Sequence, residues 1–232
     1  MDAVCALRSR LRDVFWIGGG SGAGKSTVAR RLAARYGLHL YATDDVMSDH
    51  ARRSTAGDCP FLHEFMAMDM DERWLDRSPE VMLDTFHWFR GEGFGLIVDD
   101  LLGLPAGTRV VVEGFRLLPR LVRPLLGGTG RAVWLLPTPA FRRDAFESRG
   151  SLWRIAGRTS DPERALRNLL ARDAAFTERL AVEVHDLGLH AVEVHPAMTE
   201  DDLTARVAAA LRLTGRPGPG QADPGQAVGR HG

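Results

Sequence analysis

One lysine stands among the 30 basic residues of this 232-residue chain, and it lies in Gly19-Gly20-Ser21-Gly22-Ala23-Gly24-Lys25-Ser26, the spacing GxxxxGK[ST]. Glycines at this spacing let successive backbone N–H groups turn inward on phosphate oxygens, and the positive end of a following helix adds to the attraction. In such a loop Gly20, Ser21, Gly22, Ala23 and Gly24 form the cradle and the Lys25 ammonium bridges the β- and γ-phosphates. The Ser26 hydroxyl ligates Mg²⁺, and Thr27 supports the first helical turn. The expected ligands are ATP or a close relative, and Mg²⁺. A compact ammonium in a chain otherwise committed to arginine argues for a task specific to that position.

Glu113 and Arg116 are the next candidates. Glu113 closes the apolar run Arg109 to Val112, and a carboxylate at such a strand end can hold a Mg²⁺-bound water or a substrate hydroxyl. Arg116 follows closely enough to reach the same pocket. His50, His63 and His87 lack the paired helical spacing of a zinc site, so no zinc is expected. Trp74, Phe86 and Trp88 are better explained as packing residues than as a stacking platform.

These groups need elements to hold them. Val14 to Ile17 is a short apolar run before the glycines, and Lys25 to Tyr36 places Val28 and Leu32 on one helical face, with Gly37 as its cap. Leu38 to Ala42 is a second strand that delivers Thr43, Asp44 and Asp45. Val46 to Ser78 is irregular apart from a helix around Phe61 to Met68, and is expected to be an insertion outside the core. Ser78-Pro79-Glu80 opens a helix. Phe94 to Leu104 imitates a strand ending in Asp99 and Asp100, but its apolar residues also share one helical face, and a helix is expected. Further strands are expected at Arg109 to Val112, Ala132 to Leu136 and Ala191 to Val194. Pro119 to Leu126, Pro162 to about His185 and a segment capped by Thr199 are helical. The alternation implies an α/β fold with a parallel sheet covered on both faces and ligands beyond the carboxyl ends of its strands.

The chain as a whole sets limits. With 44% hydrophobic residues, one well-buried domain is expected over residues 1–213, and the Gly/Pro-rich stretch 214–232 is expected to be disordered. A formal net charge of +0 makes a long nucleic acid an improbable partner. Two cysteines, Cys5 and Cys59, and the absence of a long apolar run point to a reduced, cytoplasmic protein without a membrane span. The oligomeric state is not legible.

Three places carry a family resemblance: GGGSGAGKST at Gly18 to Thr27, TDD at Thr43 to Asp45, and VVVEG at Val110 to Gly114, followed by an arginine-rich stretch. Together they resemble the P-loop kinases that phosphorylate small molecules or nucleic-acid ends. That group includes uridine, shikimate and gluconate kinases, chloramphenicol phosphotransferase, the zeta toxins and polynucleotide kinase. The resemblance implies a P-loop NTPase-type fold with an acceptor-covering helical insertion over about 46–78 and a lid over about 137–159. It implies that Asp45 or Asp44 is the base that receives the acceptor hydroxyl, with Asp45 placed first. It also implies that lid arginines, Arg143 and Arg149, contact the ATP phosphates. A typical G protein is excluded, because its base-reading Asn-Lys-x-Asp motif needs a second lysine. The expected activity is ATP-dependent phosphorylation of a hydroxyl on a small molecule. A nucleoside, nucleotide or nucleic-acid-end kinase is the enzymatic alternative, and a nucleotide-binding switch that does not transfer phosphate is the alternative of another class.

Overall fold

The computed structural model describes residues 3–142 and 151–213. Strands β1 (Val14–Gly19), β2 (His39–Ala42), β3 (Val110–Glu113), β4 (Ala132–Pro137) and β5 (His190–Val194) form one open sheet of order β2-β3-β1-β4-β5. Every pairing is parallel. Helix α1 (Ala3–Arg10) precedes β1, and α2 (Lys25–Tyr36) connects β1 to β2. Between β2 and β3 come α3 (Met47–Arg53), α4 (Pro60–Ala67), α5 (Met70–Trp74), α6 (Pro79–Thr85), α7 (His87–Arg90) and α8 (Phe94–Leu102). Helix α9 (Pro119–Val122) follows β3, α10 (Ser151–Ala156) and α11 (Pro162–Asp186) lie between β4 and β5, and α12 (Glu200–Ala210) comes last.

The period of two along each central strand sorts its side chains between two cores. Phe15 and Ile17 of β1, Val111 of β3, and Val133 and Leu135 of β4 pack with Val28 and Leu32 of α2 and Leu203 and Val207 of α12. Val14, Trp16, Val110, Val112, Ala132 and Trp134 point the other way, onto Ile97 and Leu101 of α8, Val122 of α9 and Val184 of α11. Both faces are therefore covered, as parallel sheets require. Because β1 lies between β3 and β4, the chain leaves the sheet centre towards both edges, which makes the carboxyl end of β1 the switch point where open parallel sheets bind their ligands.

The segment after β2 is more ordered than its sequence suggests. Instead of one helix in an irregular stretch, it forms α3, α4 and α5, of 7, 8 and 5 residues. Helices this short give too few turns for a hydrophobic period to emerge. A capping box at Asp69 and Glu72 starts α5, and the Glu92 carboxylate accepts from the N–H groups of Phe61 and Leu62 at the start of α4. The segment also contributes to a core: Cys59, Leu62, Trp74 and Leu75 join Met82, Phe86, Phe89, Leu169 and Phe176 in a third apolar cluster. Trp74, Phe86 and Trp88 are all buried, as packing residues are. The stretch from Phe94 takes the helical alternative, α8.

Candidate functional site

The turn from β1 into α2 is held in a shape that demands glycine. Gly19, Gly22 and Gly24 have φ of 132°, 76° and 81°. A Cβ at Gly19 would strike the backbone of Leu135 in β4, and one at Gly20 would strike the Thr177 hydroxyl of α11. The loop backbone thus rests directly on a neighbouring strand and helix. Ala23 is fully buried beneath it, and Lys25, 8% exposed, reaches back so that Nζ donates to the Gly20 carbonyl at 2.8 Å. Ser26 and Thr27 lie in the first turn of α2, whose amino end follows left-handed Gly24 without a side-chain cap. That end leaves backbone N–H groups directed out of the helix.

Two carboxylates come to the lysine from the neighbouring strands. Glu113 ends β3 beside Ile17 of β1 and Ala42 of β2, and it is 3% exposed. Burial raises its pKa, against the opposing pull of Lys25 and a hydrogen bond from the Ser26 hydroxyl. Asp44 lies just beyond β2, in a turn joined to β3 by the bond from Thr43 N–H to the Glu113 carbonyl at 2.9 Å. Its side chain reaches water at the cleft mouth, yet the surrounding protein raises its pKa while Lys25 and Arg116 draw it down. The two turns meet so closely that a Cβ at Gly114, whose φ is 151°, would collide with the Thr43 hydroxyl. Asp45 is exposed in the same turn, with its N–H bonded to the Ala42 carbonyl at 3.2 Å. Of the paired acids, Asp44 is the one whose charge acts on Lys25, Arg116 and Glu113.

Arg116 braces this turn from below. It is 2% exposed, and burial lowers its pKa to about 10. Its Nη1 donates to the Thr43 carbonyl at 3.4 Å, and its Nη2 donates to the Gly93 carbonyl at 3.2 Å and to His50 Nδ1 at 3.0 Å. The guanidinium lies 3.9 Å from the ring centroid of Trp88. A guanidinium can only donate, so His50 Nδ1 must accept and Nε2 must carry the proton, which it gives to Asp100 at 2.8 Å. Burial and Arg116 both lower the His50 pKa, in keeping with a neutral ring. Asp100 also accepts from Tyr41 and Arg53, each at 2.7 Å. Burial would raise the Asp100 pKa, but its hydrogen bonds from His50, Tyr41 and Arg53 outweigh that and hold it at about 2.

Lys25, Ser26, Asp44, Glu113 and Arg116 are therefore gathered at the carboxyl ends of β1, β2 and β3. Arg143 and Arg149 lie outside the described residues. Arg142, just before them, is 9% exposed and donates to the Pro137 carbonyl at 3.4 Å. Sequence reasoning missed the bracing set of Tyr41, His50, Trp88 and Asp100, and missed Thr177 beneath Gly20. Only Asp100 carried a signal, an acid at the end of an apolar run, and its place on α8 gives it a different neighbourhood from the one that pattern suggests.

No protein-family model matches the chain, and no curated protein is found to match it. Among the described residues no helix is long and apolar enough to cross a membrane.

Proposed function

We propose that this chain is a P-loop kinase, an ATP- and Mg²⁺-dependent phosphotransferase that phosphorylates a hydroxyl group of a small molecule. The observation that carries the reading is the convergence of Lys25, Ser26, Asp44 and Glu113 around a loop in which Gly19 and Gly20 press on neighbouring elements and Gly22 and Gly24 take left-handed φ. An open parallel sheet with its switch point at the end of β1 agrees with a P-loop NTPase-type fold.

The residues fit the ligands the reading requires. Lys25 and the loop N–H groups are donors suited to the phosphates of ATP. The Ser26 hydroxyl and Glu113, directly or through water, are oxygen donors suited to Mg²⁺, which keeps several waters and shares the nucleotide's phosphate oxygens. The bound ion supplies charge neutralisation at the transferring phosphoryl group. Asp44 orients the acceptor hydroxyl and takes its proton late in the reaction. The acceptor oxygen forms its bond to the γ-phosphorus as the bond to the bridging oxygen breaks, and ADP leaves. Arg116 acts at one remove, by holding the Thr43–Asp44 turn. By the family resemblance, the segment after β2 would cover the acceptor, and Arg143 and Arg149 would contact the phosphates.

The test is a transfer assay with γ-labelled ATP across hydroxylated metabolites, antibiotics, nucleosides and 5′-hydroxyl oligonucleotides. The reading expects one acceptor class to be labelled, with labelling abolished by Asp44→Asn. Steady ATP hydrolysis with no labelled acceptor, indifferent to Asp44→Asn, would overturn it.

A further inference from the structure

At the other end of the strands, where β1 begins, lies a cavity of about 480 Å³. That volume is in the range of small-ligand sites. Its wall contains Arg8, Arg12, Arg109, Arg131 and Arg212, and Asp13 is the one acid among its lining residues. Asp13 meets Arg12 at 3.4 Å and Arg131 at 4.0 Å, which leaves four positive charges in excess around one concave surface. In a protein of formal net charge +0, this is a marked local concentration.

Two features suggest that the arginines are organised rather than scattered. Arg109 and Arg131 both lie over the ring of buried Phe15, at 5.6 and 4.8 Å from its centroid. The second feature is Arg212, the only non-glycine with positive φ among the described residues, at 50°. It follows α12 in a closing turn where Arg212 N–H bonds to the Ala209 carbonyl and Leu213 N–H to the Ala208 carbonyl, both at 3.0 Å. Glycine is the usual occupant of that position. The long helix α11 closes with the same pair of bonds, from Gly188 to His185 and from Leu189 to Val184, and there the residue is glycine with φ of 59°. An arginine in this left-handed conformation is strained where glycine would not be. Its side chain lies across Gly130, where an added Cβ would come within 2.7 Å of Arg212 Nε. The missing Cβ at Gly130 leaves room for the Arg212 guanidinium at the cavity wall, and the chain accepts a strained backbone at the residue that places it there.

We propose that this cavity is a second anion site, taking a small phosphate-bearing molecule of several negative charges. Forked guanidiniums match phosphate oxygens in geometry and charge. The site is independent of the Lys25 loop: β1 lines the cavity with Val14 and Phe15 and enters the loop at Gly19, and at 3.3 Å per residue the two ends lie about 15 Å apart.

The test uses the full chain carrying Lys25→Ala, titrated with inorganic tripolyphosphate in the calorimeter, without Mg²⁺ and at low salt. The Lys25→Ala protein is expected to bind the probe, and adding Arg131→Ser and Arg212→Gly is expected to weaken binding about tenfold or more. Arg212→Gly alone relieves the backbone, so the melting temperature without ligand should hold or rise while affinity falls. The proposal is overturned if the Lys25→Ala protein gives no binding at millimolar probe, or if the arginine variants bind as it does. A fall in melting temperature with unchanged affinity on Arg212→Gly would equally overturn it, by making Arg212 a structural residue.

Discussion

Replacing Arg116 by methionine separates positioning from binding. Methionine keeps an unbranched stem against Trp88, but leaves His50 Nδ1 and the carbonyls of Thr43 and Gly93 without the donor they now have. Three lost hydrogen bonds at about 1 kcal/mol each come to about 3 kcal/mol. Burying a guanidinium that remains charged at neutral pH opposes folding, and its removal offsets part of that loss, so the net destabilisation is expected to be about 2 kcal/mol. Urea denaturation at neutral pH reads this directly. The functional consequence is specific: Arg116 bonds to the turn that carries Asp44, to His50 and to Gly93, so Mg-ATP affinity should change less than about threefold. The rate of phosphoryl transfer should fall about tenfold or more, because misplacing a reacting group by a fraction of an ångström is enough. Equal or greater stability with an unchanged transfer rate would refute the bracing role. A protein that loses Mg-ATP affinity in proportion to rate would place Arg116 in the nucleotide site instead.

Other variants probe the same geometry. Lys25→Ala should lower transfer about a hundredfold or more and abolish the rise in melting temperature produced by Mg-ATP. Glu113→Gln should abolish or severely reduce transfer yet raise the melting temperature at neutral pH. The sign follows from its raised pKa: the folded state binds the proton more tightly than the unfolded one, so stability falls as pH rises through the folded value, and a neutral amide escapes that loss. For the same reason the acid limb of the transfer rate should be displaced upward from that of a free carboxylate, since both Asp44 and Glu113 are raised, and a pH–rate profile checks it. His50→Asn, which keeps an acceptor for Arg116, should be milder in urea than His50→Leu, which keeps none; equal effects would argue against the Arg116–His50 bond.

What could be foreseen depended on how local its cause was. The β1–loop–α2 unit was legible because its glycines, its lysine and its flanking apolar residues are consecutive, and helix α2 has the bounds the periodicity gives, Lys25–Tyr36. Strands β1, β3 and β4 announced themselves as apolar runs ending at turn residues. The caps of α6, α11 and α12 at Ser78, Asp161 and Thr199 were equally visible, since a cap acts within three residues. The short helices α3 and α5 were not visible, for they are stabilised by burial in the third cluster and by one capping box. Nor could the sequence show that Arg116, Thr43, His50 and Gly93 share one set of hydrogen bonds, because those partners are separated by up to 73 positions. The preference between Asp44 and Asp45 likewise turned on which carboxylate faces Lys25, a matter of one residue of register at the end of β2.

The proposed activity depends on the amides and ammonium of the β1–α2 loop holding a magnesium nucleotide. Calorimetric titration of Mg-ATP into the full chain tests it most directly. Saturable one-to-one binding in the micromolar range, removed by Lys25→Ala, is expected; no heat of binding at millimolar Mg-ATP, or binding indifferent to Lys25→Ala, would rule out the loop as a nucleotide site.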